Sequence, residues 1–156
     1  MATFSESIVI EASPEDAFAY LGDPNTASVI DPAVVSYVSD TNPMGVGSVN
    51  TVRVRLFRLP FALTTTTRVL EWEPGHRMVI ESVRPARPVK GTATHLFEPH
   101  PLGTLYTWAM EIIPTGVGGG ILAPIFARFM RSNARRQQER FKATMERDGA
   151  PLQGKD

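Results

Sequence analysis

His95 is the titratable side chain in this sequence with the best claim to chemistry near neutral pH. It lies in "GTATHLFEP", where strand alternation puts it on one face with Ala93 and Phe97. A free imidazole titrates at about 6.5, so His95 has the chemistry of a general acid or base. No acidic neighbour in sequence orients it, and the competing reading is an imidazole hydrogen-bonded inside a partly polar core. Arg68, in "TTTTRVLEW", stands in a Thr-rich strand whose faces alternation alone does not assign, and isolated strand arginines usually lie on the solvent face. His76 follows Pro74-Gly75 and reads as a turn residue, and His100, between Pro99 and Pro101, reads as exposed. Three scattered histidines and no cysteine leave no metal-ligand spacing, no disulfide and no thiolate nucleophile. We expect no metal and no cofactor.

The stretch "GVGGGILAPIFARFMRS" sets a glycine run before the most apolar part of the chain. A phosphate loop would carry Lys and Ser or Thr where this chain has Ile-Leu-Ala-Pro. A membrane span takes about 20 apolar residues, and here Arg128 interrupts the run soon after Ile121. An interfacial anchor would want a strongly basic polar face, which the arginines supply and the overall neutrality does not. The best fit is a long helix packed on a sheet. Its glycine lead-in would then let the N-terminal half move as a lid.

The elements around these residues can be read in order. Phe4 to Ser13 is a strand. Ser13 caps a helix that opens on Pro14, Glu15 and Asp16. Asp23-Pro24 starts a second short helix to Ile30, which Asp31-Pro32 ends. Strands follow over Val34–Ser39, Val49–Phe57, Leu63–Glu73, Arg77–Arg84, Val89–Glu98 and Gly103–Ile113, joined by Pro- and Gly-rich turns that suit antiparallel hairpins. The last element is a helix beginning near Ile121, with Leu122, Ile125, Phe126, Phe129, Met130, Phe141 and Met145 at spacings of three and four.

The chain has 156 residues, 42% hydrophobic and 21% charged, which suits one globular domain over 1–148 with a loose tail over 149–156. Sixteen basic residues balance sixteen acidic ones, so there is no electrostatic case for nucleic acid. "MATFSESIVIEASPEDAF" lacks a basic segment followed by an apolar core, so no signal peptide is read and a cytoplasmic protein is expected. A homodimer through a strand edge or helix face is compatible with the sequence.

The order strand, two short helices, six-strand meander and long helix resembles the helix-grip fold of the START/Bet v 1-like superfamily. More narrowly, it is similar to the bacterial polyketide cyclase/dehydrase group. "IVIEASPEDAFAYLGDP", "RVLEWEPGHRMVI", "FEPHPLGTLYTWAMEI" and "GGGILAPIFARFMRSNARRQQERFKATMER" carry the resemblance, which covers nearly the whole chain. One departure is "VIDP" at Val29 to Pro32, where many relatives have a Trp before the proline. The resemblance implies an α+β fold, a curved antiparallel sheet of about seven strands gripping a C-terminal helix over an apolar cavity. It also implies, by rough alignment, that Arg68 is the cavity arginine that steadies an enolate in aromatase/cyclases, with Thr66 and Tyr37 as nearby hydroxyls.

Strand parity supplies the wall of such a cavity: Met78, Ile80 and Ser82 from one strand, Phe97 from the next, and Tyr106, Trp108 and Met110 from the last. The helix would add Phe126, Phe129, Met130 and Asn133. The expected function is binding of a hydrophobic small molecule of lipid, polyketide or isoprenoid type. The alternative is a polyketide aromatase/cyclase or dehydrase using Arg68 and His95. A third reading is an interaction protein that docks through the apolar helix.

Overall fold

A computed structural model describes residues 2–55 and 60–147. The expected strand end at Leu56 and Phe57 and the expected tail lie outside the described residues. Strand β1 (Ala2–Ile10) is followed by α1 (Pro14–Leu21), a 3-10 turn (Pro24–Thr26) and α2 (Ala27–Ile30). Then come β2 (Val34–Ser39), β3 (Val49–Val54), β4 (Leu63–Glu73), β5 (Arg77–Arg84), β6 (Val89–His100), β7 (Gly103–Pro114) and α3 (Gly119–Arg147). The caps form as their residue types dictate. Ser13 Oγ accepts from the Asp16 N–H at 3.1 Å, and Asp23 Oδ1 accepts from the Asn25 N–H at 2.9 Å.

The strands form one antiparallel sheet in the order β1-β7-β6-β5-β4-β3-β2. Only the β1–β7 pairing spans the chain; every other pairing joins strands consecutive in sequence, as short turns allow. α3 lies against β1 and β7, with a lighter contact on β6. Its buried residues include Ala123, Ala127, Ala134, Phe141 and Met145. Three alanines on that line let the helix backbone approach the sheet closely. The larger Leu122 and Ile125 of the expected apolar stripe are exposed instead.

Two glycines of the run have a conformational or steric reason. Gly118 has φ +84°, a conformation that L side chains rarely adopt. A Cβ on Gly119 would stand 2.4 Å from the Pro88 carbonyl oxygen and 2.9 Å from Pro114. The glycines turn the chain tightly and seat the helix start against the β5–β6 turn. α3 begins two residues earlier than expected, so Pro124 lies beyond the first turn, where its missing N–H leaves the Gly120 carbonyl without a helical partner.

Candidate ligand site on the concave face

Cross-strand register assigns the faces of the sheet. Phe4, Ile8 and Ile10 of β1 stand beside Met110, Tyr106 and Thr104 of β7. Met110, Trp108 and Tyr106 stand beside Ala93, His95 and Phe97 of β6, and His95 and Ala93 beside Met78 and Ile80 of β5. These side chains form the face covered by α3. It has a closed half and an open half. At the closed half Met78, Phe97, Tyr106 and Phe141 are fully buried with Phe18 and Tyr20. Phe141 stacks on Tyr20 and meets Tyr106 edge-on, and Phe18 meets Phe97 edge-on. Here Met78, Phe97 and Tyr106 are packed core rather than free wall.

Further along the same strands a smaller cluster of Ile112, Ala123 and Ala127 is buried, with partly buried side chains around it. Ile80, Ala93 and Met110 are half-buried on the sheet, and Phe126 and Met130 are half-buried on α3 beside them. A separate cleft of roughly 600 Å³ lies between α3 and the α2–β2 junction; Phe129 and Asn133 line it together with Asp31, Arg136, Gln137 and Arg140, and none of Ile80, Ala93, Met110, Phe126 or Met130 does. That volume lies within the common range for small-molecule sites, about 300–1,000 Å³. One flank is tied down. Gln137 Nε2 donates to Asp31 Oδ2 at 2.6 Å, and the Arg140 guanidinium donates to the Val29 carbonyl at 2.9 and 3.1 Å. Gln137 is thereby committed to holding α2, whereas Asn133 faces the cleft.

At the border between the two halves stand His95, 9% exposed, and Trp108, 7% exposed. They are cross-strand partners with ring centroids 5.4 Å apart. His95 Nδ1 hydrogen-bonds Tyr106 Oη at 2.7 Å. Burial lowers the His95 pKa to about 4, so the ring is neutral at neutral pH. Burial likewise raises the Tyr106 pKa, keeping the phenol protonated. The Trp108 indole N–H is buried with no hydrogen-bond partner among the described residues. An unmet buried donor costs about 1–3 kcal/mol.

Arg68 does not join this group. It pairs in register with Val49 and Glu81, half its side chain is exposed, and its guanidinium lies 3.6 Å from the Glu81 carboxylate. Thr66, with the same parity, stands beside the exposed Thr51. Both belong to the outer face, so Arg68 and His95 do not meet in one pocket. The reason is a bulge: Val69 pairs with Ile80 and Glu71 with Val79, leaving Leu70 extra. It turns Trp72 inward, edge-on to Phe18, while Thr64, Thr66 and Arg68 stay outside. The inward set of β4 is therefore Thr65, Thr67 and Val69.

Tyr37 sits on the concave side of β2 opposite the buried Val52, and its hydroxyl donates to Met44 Sδ at 3.9 Å. Burial raises its pKa to about 12. Asn50, fully buried between Ser39 and Thr67, carries a side-chain oxygen with no partner among the described residues. Sequence reading passed over Asn50, although its parity is that of Val52 and Val54. Among the described residues no cluster of His, Asp or Glu could hold a metal, and no helix is long and apolar enough to cross a membrane.

Comparison with known structures returns the same architecture. The two-domain aromatase/cyclase StfQ of the steffimycin biosynthetic pathway superposes with a TM-score of 0.77 at 18% identity, over 94% of this chain and 51% of that one. This chain thus spans about half of StfQ. The ZhuI aromatase/cyclase from Streptomyces sp. R1128 gives 0.76 at 16% identity, over 94% of both chains. A protein from Thermus thermophilus gives 0.73 at 16% identity, over 99% of this chain and 100% of its own. At these identities the likeness concerns the fold. No curated protein sequence matches. A family model described as polyketide cyclase/dehydrase and lipid transport matches residues 1–146. With seven strands gripping one long helix and a match across nearly its full length, the chain belongs to the polyketide cyclase/dehydrase and lipid transport family.

Proposed function

We propose that this protein binds a hydrophobic small molecule of lipid, polyketide or isoprenoid type between the open half of the sheet and the N-terminal half of α3. One observation carries the reading. Ile80, Ala93 and Met110 on the sheet and Phe126 and Met130 on the helix are apolar, lie inside the grip, and keep accessible surface. Apolar area left wet forgoes about 25 cal/mol per Å² that a ligand would recover. His95 and Trp108 give the site two polar points in an apolar wall, the usual makeup of a small-molecule pocket.

A second reading, cyclisation or dehydration of a bound polyketide-like substrate, is favoured by the His95–Tyr106 hydrogen bond at the pocket border. It has to proceed without Arg68 as the electrophile, because that side chain is engaged by Glu81 on the outer face. Native mass spectrometry of freshly purified protein, followed by organic extraction, tests the binding reading. A discrete apolar adduct is expected. A clean apo mass that persists after incubation with fatty acids, isoprenoids and aromatic polyketides would sink it.

A further inference from the structure

The pocket border holds one buried nitrogen donor without a partner among the described residues, and a neutral imidazole beside it. Tyr106 Oη has His95 Nδ1 at 2.7 Å. The bond reads in either direction according to the imidazole tautomer; with the phenol as donor, the ring proton sits on Nε2, on the side away from Tyr106. Next to His95 across the strands, Trp108 carries a buried indole N–H with no partner among the described residues.

We propose that His95 Nε2–H and Trp108 Nε1–H form a two-donor seat for a carbonyl or enolate oxygen of the bound molecule. Two residues further along their strands are Ala93 and Met110, which open onto the apolar half of the grip. A molecule lying along that half brings one oxygen up against the pair. Two neutral donors in a dry site stabilise a carbonyl oxygen, and an enolate oxygen more, without themselves changing protonation. The low His95 pKa agrees with this role and disfavours an imidazolium in the resting protein. Tyr106 acts as a positioning residue: it fixes the tautomer and touches no substrate.

The inference rests on the binding reading above, and a matched pair of probes separates the two. Acetylnaphthalene carries a carbonyl where isopropenylnaphthalene carries a methylene of the same shape. Wild-type protein is expected to bind both, and to bind the ketone with its infrared carbonyl stretch moved to lower frequency. Trp108→Phe and His95→Leu should each weaken the ketone roughly three- to tenfold, the size of one lost hydrogen bond. Both variants should lose less affinity for the hydrocarbon than for the ketone, and circular dichroism should report an intact fold. His95→Gln, which restores an N–H, should recover the ketone. Nitrogen NMR should find His95 protonated on Nε2 in wild type, and Tyr106→Phe should release that preference. Equal weakening of both probes, an unmoved carbonyl stretch, or an Nδ1–H tautomer would each overturn the donor seat while leaving the pocket standing. If wild-type protein binds neither probe, the pocket reading falls and the donor seat with it.

Discussion

His95 spends the neutral range uncharged because its ring is buried. This has a consequence for stability. The folded pKa of about 4 lies below the ordinary value of 6.5, so between these values the unfolded chain binds more protons than the folded one. The contribution is fully present above pH 6.5 and is lost as pH falls toward 4, a span worth on the order of 3 kcal/mol. Urea titrations at a series of pH values should show stability falling across that window, and His95→Gln should flatten the slope. An unchanged slope in the variant would place the titration elsewhere. Glu6 and Glu146 have lowered pKa values through their arginine and lysine partners, and their losses fall below the ordinary carboxylate value of 4.5. His95's inward face was legible from alternation with Ala93 and Phe97. Its bond to Tyr106 was not, because that needs the β6–β7 register, which the turn at Pro101 and Leu102 sets.

At the scale of elements, most of the sequence reading survives because the punctuation is strong. Ser13-Pro14, Asp23-Pro24, Asp31-Pro32 and Pro74-Gly75 start or stop the elements they flank. Two features escaped it for physical reasons. The bulge at Leu70 changes side-chain parity within β4, and nothing in "TTTTRVLEWE" announces an extra residue. Alternation alone leaves the face of this strand open, and it is the family resemblance that implies a cavity position for Arg68 and Thr66. In α3 the large apolar residues dominate the sequence pattern, whereas Ala123, Ala127 and Ala134 are among the residues that the helix buries. Spacing alone does not separate residues that touch a sheet from residues that border a pocket. Ala134 is fully buried in the main core cluster. Ala134→Leu should lift the helix from β1 and β7 and cost about 1–3 kcal/mol through overpacking. Thermal denaturation would show it as a lowered Tm; an unchanged Tm would mean that the helix seat has slack.

For the molecule as a whole, the grip has a large aromatic cluster at one end and, at the other, a smaller cluster of Ile112, Ala123 and Ala127 bordered by partly buried apolar side chains. Tyr20, Phe141, Tyr106 and Phe97 close the first end, while Ile80, Ala93 and Met110 face the helix across the second. The central claim is that this second end is a ligand site. The most direct test fills it. Ala93→Trp places an indole in the open half, away from the His95–Tyr106 bond and from the Phe141 contacts. Fluorescence titration with anilinonaphthalenesulfonate would compare wild type with this variant, with circular dichroism as the check on folding. We predict that wild type binds the dye and that the folded variant loses most of that binding. Undiminished dye binding by the folded variant would contradict a ligand site inside the grip and move attention to the exposed apolar turn of α3 at Ile121 and Ile125, 74% and 58% exposed.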